Sequence, residues 1–139
     1  MATTRHASAT WNGSLIEGGG QVSLDSSGIG VHPVSWPARS AEPNGVTSPE
    51  ELIAAAHSTC FSMALAHGLA QAGTPATELR TSAEVDFEPG TGITEIRLRV
   101  SGDVPGLDAA GFMAAALAAK DGCPVSKALK AVPISLVVD

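Results

Sequence analysis

Between Ser48 and Gly73 the chain carries a segment that meets the local requirements of a long helix yet has no polar face. Ser48 is a good N-cap, Pro49 suits the first helical position, and Glu51 stands where a capping box needs its acid. The spacing predicts a helix running to Gln71 and ending at Gly73, with Pro75 beyond. Leu52, Ile53, Ala54, Phe61, Met63, Leu65 and Leu69 point to nearly every side of it. Such a helix has to be covered all round. A chain of 139 residues is expected to form a single domain, 1–139, which leaves little else to cover it. A tightly intertwined homodimer would bury the helix without adding residues.

The rest of the chain reads as strands and shorter helices. Residues 8 to 36 look like short strands, with Ala9-Thr10-Trp11 and Ser14-Leu15-Ile16 flanking an Asn-Gly turn. Gly18 to Gly20 breaks the run before Gln21-Val22-Ser23-Leu24. Residues 37 to 48 read as a loop. Residues 77–88 and 93–104 alternate around Pro89-Gly90-Thr91-Gly92, which predicts a hairpin with Ile96, Leu98 and Val100 on its inner face. Asp108 caps a second helix, Ala109 to Lys120, with Gly122 suited to a left-handed C-terminal position. Cys123 can cap a short third helix that begins at Pro124, and Ile134 to Val138 is a last strand. This order predicts an α+β fold, with antiparallel sheets packed around central apolar helices.

Charge and composition exclude several functions. The formal charge is −6, from 14 acids against 8 bases, and no basic run or aromatic ladder is present. Nucleic acid is therefore not an expected partner. No secretory-type apolar stretch opens the sequence, and the longest candidate span, Ala54 to Ala70, is interrupted by His57, Ser58, Thr59 and His67. A membrane partner is not expected, and a reducing cytoplasm is the expected location. There, two cysteines serve redox chemistry or packing more often than a standing bridge.

Those two cysteines are Cys60, deep in the long helix, and Cys123, between a glycine and a proline. Apolar surroundings push the Cys60 thiol up, and Cys60 lies beyond the first turn, where the helix dipole fades. A reactive Cys60 needs a cation brought to it; otherwise it is a small buried hydrophobe. Cys123, as a cap, faces free backbone N–H groups that favour its thiolate. Arg39 can lie against a thiolate while its other edge holds a carboxylate, although a solvated loop arginine is the plainer reading. Glu50 and Glu51 suit the helix start for dipole reasons alone. Glu50 stands about 15 Å from Cys60 along an unbroken helix, so a shared role needs Arg39 as a bridge, a kink, or a second chain. His57, three residues before Cys60, reads as a satisfied core histidine before it reads as a dyad partner or ligand. The four histidines show no zinc spacing, and Gly18 to Gly20 precedes a strand, unlike a phosphate loop.

Taken together, these segments resemble the OsmC branch of the OsmC/Ohr family of organic hydroperoxide reductases. The likeness rests on Ala-Thr-Trp-Asn-Gly, on Ser-Pro-Glu-Glu-Leu-Ile-Ala-Ala-Ala-His-Ser-Thr-Cys-Phe-Ser-Met-Ala-Leu, on Val-Pro-Gly-Leu-Asp and on Gly-Cys-Pro-Val-Ser-Lys-Ala-Leu. It implies an intertwined homodimer with sites at the subunit interface. It also implies a peroxidatic Cys60, a resolving Cys123, an activating Arg39 and its carboxylate partner Glu50. The residues around Arg39 match the family least closely. The implied activity is a thiol peroxidase, reducing alkyl or lipid hydroperoxides through a Cys60 sulfenic acid and a Cys60–Cys123 disulfide. An external thiol, of the dihydrolipoyl kind, would regenerate it, and no metal or other cofactor is needed. The alternative is a non-catalytic protein of the same fold that binds an apolar ligand in the dimer groove. A hydrolase pairing Cys60 with His57 ranks last, because no oxyanion hole or third triad member is visible.

Overall fold

The computed structural model describes residues 1–139, which cluster into two compact units, Met1–Pro49 and Glu50–Asp139. The first unit holds a three-stranded antiparallel sheet in the order β1 (Ser8–Asn12), β2 (Gly19–Ser23), β3 (Val31–Val34). Residues 14 to 16 form a turn where a strand was expected, and Gly19 and Gly20 lie within β2. Gly20 belongs there for a steric reason. A Cβ on Gly20 would stand 2.1 Å from the Thr10 carbonyl oxygen and 3.1 Å from the ring of Trp11, its cross-strand partner. The run that looked like a break lets two strands approach closely.

The expected loop after β3 contains a short helix, α1 (Trp36–Ser40). Ser35 caps it, accepting a hydrogen bond from the Ala38 N–H at 3.2 Å, and Pro37 sits in its first turn. Arg39 therefore stands in the last turn of a helix and is half-buried.

The second unit is built around α2 (Pro49–Gln71), whose limits are those the sequence predicts, with Gly73 at φ +83° just beyond. His57, Phe61, Leu65 and Leu69 recur every four residues along α2 and are all buried. Phe61, Leu65 and Leu69 of this stripe pack on a sheet ordered β4 (Glu78–Glu88), β5 (Gly92–Asp103), β6 (Ile134–Val138). Ile96, Leu98 and Val100 of β5 are the buried face, as the alternation predicts. Leu98 and Val100 join Phe61, Leu65 and Leu69 in one core with Phe112, Ala116 and Ala119 of α3 (Ala109–Gly122). Polar ties hold α2 to the sheet as well: Ser62 Oγ meets Thr81 Oγ1 at 2.6 Å, and Thr81 Oγ1 donates to the Ser58 carbonyl at 3.1 Å.

The outer sheet face carries charge. Arg97 holds Asp86 with two hydrogen bonds of 2.7 Å and also pairs with Glu84 and Glu95.

Three details depart from expectation. Strand β6 runs parallel to β5, because the chain returns to the sheet through α3 and α4 (Pro124–Ala128). Gly122 stays within α3 and takes no left-handed conformation; Cys123 follows as the cap of α4 at φ −60° and ψ 124°. Finally, α2 is long and apolar enough, at mean hydropathy 1.3, to cross a membrane by length and composition. Its alanines outweigh the polar residues thought to interrupt it. In the fold one stripe of α2 is buried in the core of the second unit and its opposite side is exposed.

Leu65 is fully enclosed in this core. Leu65→Ala should destabilise the protein by about 2–5 kcal/mol, read as a lower urea midpoint; a midpoint within error of the native one would mean that the stripe does not hold the unit together.

Candidate functional site

One position along α2 separates the buried stripe from the residue that precedes Phe61. Cys60 therefore sits at the edge of the helix–sheet contact, half-exposed. On the other side of the same region the chain leaves α3, and Cys123 ends up fully buried. Its position is set by two overlapping signals: its N–H bonds to Ala119 O at 2.9 Å, closing α3, and Lys127 N bonds back to its carbonyl at 3.0 Å, opening α4. Pro124 follows at the first position of α4.

Both cysteines are free, and their thiols lie close enough to interact and to shift each other's ionisation. Burial pushes the Cys60 thiol up, the interaction with Cys123 adds to this, and the Val125 backbone offsets part of it. No cation figures among these influences. Burial would push Cys123 up too, yet its interactions with the Cys60 thiol, with Ser126 and with the Val125 backbone outweigh it, and its thiol is shifted down. The backbone N–H groups at the start of α4 are aimed at this sulfur without closing a cap hydrogen bond. As the chain stands, negative charge favours the buried sulfur of the pair.

The two cysteines are thus brought together. Glu50 is buried in the first turn of α2 in the same unit, and Arg39 lies on α1 in the first unit. No group of three or more His, Cys, Asp or Glu side chains converges in a way that could hold a metal ion.

A cavity of about 720 Å³ opens at Cys60. Its walls come from α2 and α3 and are nearly all apolar or small, with Met63, Ala64, Ala115, Ala119 and Pro124 among them. It suits a hydrocarbon chain whose reactive end reaches the thiol.

His57 is the residue the sequence reading undervalued. It is a core histidine, but only half satisfied. Its Nε2 meets Ser126 Oγ at 2.7 Å across 69 residues of chain, while its equally buried Nδ1 has no partner. Burial pushes its pKa down, favouring the neutral ring. Its three-residue spacing from Cys60 was the available signal; its bond to Ser126 was not visible in any local pattern.

The family model described as OsmC-like protein matches residues 42–137. "Peroxiredoxin OsmC" of Escherichia coli (strain K12) is 41% identical over 134 residues, covering 94% of this chain and 93% of that protein. Among solved structures, the organic hydroperoxide resistance protein OhrB of Bacillus subtilis is similar with a TM-score of 0.71 and 25% identity, over 96% of this chain and 98% of that one. An OsmC-like protein from Mycoplasma pneumoniae shares the fold at a TM-score of 0.76 and 13% identity, over 100% of this chain and 98% of that one.

Proposed function

Since the chain belongs to the OsmC-like family, we propose that it is a thiol peroxidase that reduces organic hydroperoxides to alcohols. The observation that carries this reading is the pair of free thiols, one half-exposed on an apolar cavity and the other buried against it. A site for apolar binding alone has no need of a second sulfur beside the first.

In the proposed cycle the Cys60 thiolate attacks the peroxide. A sulfur–oxygen bond forms, the O–O bond breaks, and the departing alkoxide takes a proton to leave as alcohol. Cys60 is left as a sulfenic acid. Cys123 then attacks its sulfur, a disulfide forms, and the oxygen leaves as water. A dithiol of the dihydrolipoyl kind restores both thiols by exchange. That last step needs a reducing compartment, and the cytoplasm is the proposed location.

Activation of Cys60 is the demanding part, since its surroundings within the second unit hold its thiol up. A guanidinium against the sulfur would reverse this. Arg39 is the proposed source, with Glu50 fixing its plane. A second copy of the chain is the proposed cover for the side of α2 opposite the core, where Ala56, Met63, Ala66 and Ala70 are exposed.

Cys60→Ser should abolish consumption of cumene hydroperoxide, and Cys123→Ser should complete one turnover and then over-oxidise, read by peroxide loss and intact mass. Native turnover in Cys60→Ser would end the peroxidase reading. Arg39→Ala should slow alkylation of Cys60 at neutral pH by about tenfold, one unit of pKa being a factor of ten in thiolate; an unchanged rate removes Arg39 from the site. Sizing at micromolar concentration should give twice the chain mass, and a monomer would contradict the second copy.

A further inference from the structure

The orphaned nitrogen of His57 fixes the direction of a hydrogen-bond chain. A neutral imidazole carries one proton, on Nδ1 or on Nε2. Were it on Nδ1, a buried N–H donor would have no acceptor, the rarer and costlier kind of orphan. With the proton on Nε2, the unpartnered Nδ1 is an acceptor lone pair, and Nε2 donates to Ser126 Oγ at 2.7 Å. Ser126 has one hydroxyl hydrogen. With its oxygen accepting from His57, that hydrogen is free to turn toward Cys123, which caps the same short helix three residues earlier and whose ionisation the Ser126 side chain favours. His57, Ser126 and Cys123 are all buried, so water does not compete for these contacts.

We propose that His57 and Ser126 are positioning residues for the resolving step: His57 orients the Ser126 hydroxyl, and the hydroxyl holds the Cys123 sulfur as the thiolate that attacks oxidised Cys60. The inference rests on the peroxidase reading and assigns these two residues to its second half. When Cys123 attacks, the S–S bond forms as the S–O bond of Cys60 breaks. The proton that Cys123 gives up ends on the departing oxygen, which leaves as water. No other oxidant or reductant enters the step. The Cys60 thiol is the largest of the influences that lower the Cys123 pKa in the reduced protein; the Ser126 backbone and hydroxyl act in the same direction and remain when Cys60 is oxidised.

The arrangement also ties the two cysteines together mechanically. His57 is one turn before Cys60 on α2, and Ser126 is one turn after Cys123 on α4. The bond between them therefore spans the same two segments that the disulfide would join.

The test separates the two chemical steps. Reduced protein receives one equivalent of cumene hydroperoxide, with dimedone to trap sulfenic acid and intact mass to follow loss of two hydrogens. His57→Leu fills the space without a donor, whereas the side-chain amide of His57→Gln can still donate to Ser126. His57→Leu should close the disulfide about tenfold more slowly relative to Cys60 oxidation, equal to about 1.4 kcal/mol of barrier, and should accumulate the dimedone adduct. His57→Gln should stay within about threefold of native, and Ser126→Ala, a smaller change to the packing, should match His57→Leu. Closure at the native ratio in either His57→Leu or Ser126→Ala overturns the proposal, even where Cys60 oxidises normally. Native protein that forms neither sulfenic acid nor disulfide overturns the peroxidase reading itself, and this inference with it.

Discussion

The packing of one α2 stripe on one strand governs most of what has been described. Phe61, Leu65 and Leu69 pack with Leu98 and Val100, and His57, buried on the same stripe, meets Ser126 of α4. The helix rotation this imposes decides the fate of every other α2 residue. Cys60 comes to the margin, neither lost in the core nor exposed to bulk solvent, and Met63 turns outward to the cavity. A rotation of one residue, about 100°, would bury the thiol and expose the phenylalanine. The apolar contact that stabilises the unit thus also orients the Cys60 sulfur, and no separate device is needed for the second task.

Much of this was legible in the sequence where the governing physics is local. The ends of α2 follow from its proline and its terminal glycine, the β4–β5 hairpin from alternation around Gly90 and Gly92, and the α3 cap from Asp108, whose Oδ1 accepts from Gly111 N at 2.7 Å. Local pattern failed where a neighbour made the decision. Gly20 reads as part of a break because nothing nearby in sequence reveals the Thr10 carbonyl and the Trp11 ring that occupy the space of a side chain. The direction of β6 depends on how α3 and α4 carry the chain back, which five residues of alternating pattern do not encode.

The site divides along the same line. Part of the ionisation tendency of each cysteine follows from local surroundings, an apolar helix for Cys60 and a helix start for Cys123, but the part each owes to the other depends on a pairing that no local pattern encodes. That pairing came only from family resemblance. The bond between His57 and Ser126 was out of reach altogether, since it joins residues 69 positions apart. The sequence allows a satisfied core histidine, a dyad partner or a ligand; a buried ring satisfied on one nitrogen alone is a further condition, and it is the informative one.

Unequal burial of the two sulfurs would give the proposed cycle a direction of repair. Once a disulfide has formed, an incoming dithiol meets Cys60 at the cavity wall, while Cys123 is shielded on every side. Attack on the accessible sulfur expels the shielded one, whose anion is favoured by Ser126 and the Val125 backbone at the start of α4. Under the proposed chemistry the regenerating molecule is therefore held, for the life of the mixed disulfide, on α2 alone, and α4 recovers its thiolate without touching the visitor.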